Sequence, residues 1–132
     1  ALQIHRQFAD VQLLIEQSRL EQILVNLIGN ALDAMHAQPQ PQLWLEGEEF
    51  NGKYRLRVRD NGHGIDAKAR KHLFEPFFTT KPGEQGLGLG LTLSASLAAA
   101  TGGHLGVEHP AGGGTTFVLS LPLVSPLSAE PI

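Results

Sequence analysis

The stretch Ser18-Arg19-Leu20-Glu21-Gln22-Ile23-Leu24-Val25-Asn26-Leu27-Ile28-Gly29-Asn30-Ala31-Leu32-Asp33-Ala34-Met35 decides the fold. Leu20, Ile23, Leu24, Leu27, Ile28, Ala31 and Met35 recur with helical spacing, so one stripe faces a core. Ser18 and Glu21 read as a capping box that starts the helix. Pro39 and Pro41 cannot continue it, so it ends near His36. A second stripe is polar. Gln22, Asn26, Asn30 and Asp33 fall within about 80° of one another at 100° per residue.

Outward from this helix the pattern changes to strands. Before it, Leu2, Ile4, Arg6 and Phe8 share one extended face, and Val11, Leu13 and Ile15 share another. After it, Leu43–Leu45 and Tyr54–Val58 flank Asn51-Gly52, a strong hairpin signal. Asp66 to Leu73 predicts a short helix capped by Asp66. Glu75 to Gln85 reads as a loop. Leu89, Leu93, Leu97 and Ala100 mark another helix, ended by Gly102-Gly103. Leu105–Glu108 and Thr115–Leu121 are strands around the turn Gly112-Gly113-Gly114. The order β-β-α-β-β-α-loop-α-β-β predicts an α+β fold: a two-layer sandwich with three helices on one face of a mixed sheet. Residues 1–122 form this domain and 123–132 a tail.

Composition narrows the function. The chain has 132 residues, one domain's worth, with 42% hydrophobic residues and a net charge of -3. Interspersed charges exclude the dense basic patch that nucleic acid or an anionic membrane requires. With no cysteine, disulfides and thiolate metal sites are excluded. No apolar run approaches the roughly 20 residues that span a bilayer. The chain starts at Ala1 rather than Met and reads as part of a longer protein.

Four segments carry chemistry. Asn26 and Asn30, one turn apart, could hold a hydrated magnesium ion and phosphate oxygens without adding negative charge. A solvated helix face has the same appearance. Asp60-Asn61-Gly62-His63-Gly64 puts an acceptor at a strand end before two glycines, where a ligand ring could approach the backbone and offer an amine to Asp60. An ordinary Asn-Gly turn reads the same way. Gly86-Leu87-Gly88-Leu89-Gly90-Leu91 precedes a helix and can cradle phosphate with its N–H groups. It lacks the Lys-Ser/Thr of a Walker loop and does not follow a first βαβ strand. A hinge with helix-packing glycines is the other reading. Gly114-Thr115-Thr116-Phe117 opens the last strand, where a hydroxyl could support Asp60 or a bridging water.

In order and spacing these segments resemble the ATP-binding catalytic domain of sensor histidine kinases. Leu20–Ala31 resembles the N box, Asp60–Ile65 the G1 box, Leu73–Lys81 the F box, and Gly86–Leu91 the G2 box. Gly114–Phe117 resembles the last-strand threonine motif. Asn-Ala-Leu-Asp-Ala-Met and the short Thr-Thr-Lys loop look most like the nitrogen-regulation and dicarboxylate sensors. The resemblance covers about Leu2 to Pro122 and implies a Bergerat-type fold with Mg2+ and ATP as cofactors. It implies that Asn30 ligates magnesium and that Asn26 contacts the metal's waters or the phosphates, with Asp33 beside them. Asp60 would bind the adenine amine, with Gly62, Gly64 and Ile65 shaping the pocket and Thr115 assisting. Gly86, Leu87, Gly88, Leu89 and Gly90 would meet the phosphates. Phe77 and Phe78 would anchor a lid, with Thr79, Thr80 and Lys81 at the nucleotide and Lys81 reaching the γ-phosphate. A flexible surface lysine is the alternative for Lys81.

Related gyrase-type and chaperone ATPases carry a Glu where this chain has Asn26. An amide takes no proton at neutral pH, which favours a kinase over a hydrolase. Glu21 lies about 140° around the helix and does not substitute. The six histidines are followed by Arg6, Ala37, Gly64, Leu73, Leu105 and Pro110, whereas the family's acceptor is usually followed by an acidic residue. The acceptor is therefore expected on an upstream dimerisation domain of the same protein, which a response regulator then meets. A cytoplasmic location follows from the same resemblance. A gyrase- or chaperone-type ATPase, a non-catalytic nucleotide-binding regulatory module, and a scaffold docking through Leu87, Leu89 and Leu91 are the alternatives.

Overall fold

The computed structural model describes residues 2–7, 13, 15–65, 90–110 and 112–123. Five strands and two helices lie in these residues: β1 (Gln3–Gln7), α1 (Gln17–Ala34), β2 (Gln42–Phe50), β3 (Lys53–Asp60), α2 (Gly90–Ala100), β4 (His104–Glu108) and β5 (Thr115–Pro122). The sheet order is β1-β2-β3-β5-β4. β1 pairs parallel to β2, and the other pairs are antiparallel. The α+β architecture on a mixed sheet is thus as expected. The short helix expected over 66–73 lies outside the described residues.

β3 shows why there are two layers. Side chains alternate across a strand, and Tyr54, Leu56, Val58 and Asp60 are buried while Arg55, Arg57 and Arg59 face the other side. The buried face meets Ile23, Leu27 and Ala31 of α1 and Ala98 of α2, with Leu119 and Leu121 of β5. Ile23, Leu27, Leu119 and Leu121 are all 0% exposed. Burying each such side chain contributes about 1.5–3 kcal/mol.

The outer face is polar. Arg57 donates to Glu48 at 2.8 Å, also lies 3.8 Å from Glu108, and holds the Glu48 carboxyl below its ordinary value. Arg59 stacks over Trp44 and Arg55 over Phe50. An open depression of 480 Å³ on this face is lined by these charges, among them Glu48, Arg57 and Glu108. Arg57 pairs there with Glu48 and Glu108, and the depression lies on the side of the sheet away from α1.

The turns follow their residues. Asn51 and Gly52 have φ 53° and 77°, as a two-residue hairpin with the Phe50–Lys53 register requires. Gly102, at φ 83°, closes α2 while Gly102 N–H and Gly103 N–H reach the carbonyls of Ala99 and Ala98.

One expectation is corrected. The helix starts at Gln17 with Glu16 as N-cap, and no side chain caps it. Ser18 therefore sits inside the first turn, and Glu21 accepts from Gln17 Nε2 at 2.9 Å instead of closing a capping box. In α2, Leu93 is 43% exposed and Ala100 is exposed, whereas Ser94 and Ala98 are 0% exposed. This helix is apolar on nearly every side, so small residues, which allow close approach to α1, choose the buried face. Of the strand expected around Val11–Ile15, Val11, Gln12 and Leu14 lie outside the described residues, and Leu13 bridges to Leu123. Among the described residues no helix is long and apolar enough to cross a membrane.

Candidate nucleotide site

β3 ends at Asp60, directly opposite Thr115 at the start of β5. Both are 2% exposed. Asp60 Oδ1 accepts from the Gly62 N–H at 2.8 Å, which folds the chain back on itself. Burial pushes the Asp60 carboxyl above its ordinary value of 3.8. The N–H groups of Gly62 and Thr115 and the nearby His63 oppose the rise without cancelling it. The Thr115 hydroxyl is buried and has no hydrogen-bond partner among the described residues. A costly buried carboxylate beside an unsatisfied hydroxyl is the arrangement that a ligand donor, or a water carried with it, would complete.

Glycines set the shape of this end. A Cβ at Gly62 would meet the Ala34 carbonyl oxygen, so the turn lies flat on the last residue of α1. Gly114, at φ 82°, packs on the Asp60 carbonyl. Gly64, at φ 78°, approaches Gly114 in turn. Ile65 is half-buried against the core.

Asn61 fastens the turn from the other side. Its Oδ1 accepts from the Gln42 N–H at 2.9 Å, and its Nδ2 donates to the Gln40 carbonyl at 2.9 Å. Gln38 Nε2 donates to the Asn61 carbonyl. An Asn-Gly pair reads as turn punctuation, and this role of Asn61 is not evident from it. The signal was present in its position beside Asp60 at a strand end.

α1 delivers the polar stripe to the same end. Asn26, Asn30 and Ala34 follow at four-residue intervals, a rise of about 6 Å each. Ala34 is the residue on which Gly62 rests, and its carbonyl accepts from the His63 N–H. Asn30 is thus about one turn from the Asp60 loop and Asn26 two. Asn26 and Asn30 are half-buried, while Gln22 and Asp33 are exposed. Asn26 Nδ2 donates to Ser94 Oγ on α2 at 3.1 Å. Ser94 was not singled out in the sequence.

Among the described residues no group of three or more His, Asp or Glu side chains could hold a metal ion. The donors that α1 offers are neutral amides, which fits a magnesium ion already neutralised by a triphosphate. Of the other candidate residues, Gly90 is the first residue of α2. Thr79, Thr80, Lys81, Gly86, Leu87, Gly88 and Leu89, with Phe77 and Phe78, lie outside the described residues.

Comparisons with known proteins bear on family and fold. The family described as histidine kinase-, DNA gyrase B- and HSP90-like ATPase matches residues 15–125. The C4-dicarboxylate transport sensor protein DctB of Pseudomonas aeruginosa is 42% identical over 117 residues, which are 87% of this chain and 19% of that protein. Its namesake from Rhizobium meliloti is 43% identical over 111 residues, 84% of this chain and 17% of that protein. The chain therefore spans about a fifth of the length of these relatives. Among solved structures, the mycobacterial sensor histidine kinase MprB superposes with a TM-score of 0.81 at 25% identity, over 92% of this chain and 84% of that one. Full-length ShkA in complex with AMPPNP gives 0.78 at 33% identity, over 92% of this chain and 26% of that one. With a fold, a buried strand-end carboxylate and a match over most of its length, the chain belongs to the histidine kinase-, DNA gyrase B- and HSP90-like ATPase family, in its sensor histidine kinase branch.

Proposed function

We propose that this chain binds Mg-ATP and supplies the γ-phosphate to a histidine on an upstream dimerisation domain of the same protein, in the cytoplasm. A response regulator would then receive the phosphoryl group from that histidine. The observation that carries the ATP reading is the buried Asp60 carboxylate beside the unsatisfied Thr115 hydroxyl. Asp60 would accept the adenine amine in a charge-assisted bond. Thr115 Oγ1 would complete the base contact directly or through a water. Gly62, Gly64 and Ile65 would line the base pocket.

At the other end of the ligand, Asn30 would hold the metal and Asn26 its waters or the phosphates, with Asp33 at their edge. A bound magnesium ion would supply charge neutralisation on the phosphates. Gly86, Leu87, Gly88, Leu89 and Gly90 would offer N–H groups ahead of α2, whose N-terminus favours anions. Thr79, Thr80 and Lys81 would close over the nucleotide, with Lys81 at the γ-phosphate.

Asn26 favours kinase over hydrolase chemistry. Its amide cannot take a proton from water, and it is occupied by Ser94. Bound ATP should then persist until an imidazole is presented, and transfer is a matter of positioning. The test is to incubate the chain with labelled ATP and a separately prepared helical segment carrying the acceptor histidine. Label on the segment, with little free phosphate released by the chain alone, is the expected result. Steady hydrolysis by the chain alone would instead make it an ATPase of the gyrase or chaperone kind.

A further inference from the structure

We propose that Ser94 is a positioning residue for the phosphate end of this site: it fixes the Asn26 amide and ties it to the first turns of α2. The inference rests on the nucleotide reading above and adds a residue to it.

Ser94 is 0% exposed in a helix whose sequence is Gly-Leu-Thr-Leu-Ser-Ala-Ser-Leu-Ala-Ala-Ala. Packing gives no reason for a hydroxyl there. Alanine would fit the same space, favours helix more, and spares the cost of burying a polar group. What alanine cannot do is accept the Asn26 Nδ2 hydrogen bond, which spans 68 residues of sequence and joins α2 to α1.

The bond has two consequences. An amide presents an acceptor and a donor that differ little in shape, so its useful orientation must be imposed by partners. With Nδ2 turned to Ser94, Oδ1 is held at the opposite edge of the amide. That oxygen is the atom able to accept a hydrogen bond from a metal-bound water. The second consequence is mechanical. Ser94 lies one turn after Gly90, the first residue of α2. Asn26 lies one turn before Asn30 on α1. A shift of the first turn of α2 is therefore passed through Ser94 to the Asn26 amide.

The experiment is a double-mutant cycle read by calorimetry on the 132-residue chain, using Mg-ATP and, separately, ADP in chelator. Parent, Ser94→Ala, Asn26→Ala and the double variant are compared, with melting curves to show that each is folded. Ser94→Ala should weaken Mg-ATP about fivefold, the scale of one net hydrogen bond. Its binding of metal-free ADP should stay within about twofold of the parent. In the Asn26→Ala background, adding Ser94→Ala should change Mg-ATP binding by less than about twofold. The proposal is overturned if Ser94→Ala binds Mg-ATP as the parent does, if it loses both ligands equally, or if its loss persists without Asn26. A parent that binds neither ligand overturns the nucleotide reading itself and this proposal with it.

Discussion

Asp60 and Thr115 face each other across the β3–β5 pair, both buried, one with a carboxyl raised by burial and the other with an unsatisfied hydroxyl. Neither feature stabilises the fold by itself. A polar pair in this state is a cost that other contacts offset, and such costs concentrate where a ligand is bound.

Stability without nucleotide should therefore respond to pH in a particular direction. The folded-state pKa of Asp60 lies above 3.8, so the folded protein holds the proton more tightly than the unfolded chain. Between those two values stability from this group falls as pH rises, and the penalty is fully present above the folded value. Asp60→Asn keeps the acceptor for the Gly62 N–H and removes the buried charge. It should melt no lower than the parent at neutral pH. The difference between the two should shrink as pH falls toward 3.8, as thermal melts across that range would show.

Gly114 should tolerate no side chain. At φ 82° a Cβ is strained, and it would also meet the Asp60 carbonyl. Gly114→Ala is expected to cost about 1–3 kcal/mol in denaturant unfolding. A loss below a few tenths would show that the strand end can shift without harm.

Asn61→Ala removes two side-chain hydrogen bonds and leaves the Gln42 N–H and the Gln40 carbonyl without them. Urea unfolding should report a loss of about 1–3 kcal/mol. The turn bearing Gly62 should also loosen, so nucleotide binding weakens by more than the stability loss alone accounts for. Unchanged affinity would show that Asp60 is held by β3 without help from Asn61.

Much of this was legible because it is local. Asp60 and Gly62 are two residues apart, and the hairpin at Asn51-Gly52 needs only positive φ at adjacent positions. The apolar stripe of α1 is legible beside the polar stripe of Gln22, Asn26, Asn30 and Asp33, although Val25 and Leu32 are also exposed. The remainder depends on tertiary contact. The Asn26–Ser94 bond cannot be read from either helix alone. The buried side of α2 could not be chosen by periodicity, since Leu93 is as apolar as Leu91 and Leu97, yet it is 43% exposed while they pack on the core. The capping-box reading at Ser18 failed by a two-residue shift in where the helix begins, the least determined feature of any helix.

The most direct test of ATP binding at the Asp60 end is a titration of Mg-ATP into the parent chain and into Asp60→Asn, both shown to be folded. The expected result is saturable binding by the parent, with a dissociation constant on the order of micromolar to millimolar. Asp60→Asn should bind at least about tenfold more weakly, as loss of a charge-assisted bond requires. Equal binding by the two, or no saturable binding by the parent, would contradict the assignment.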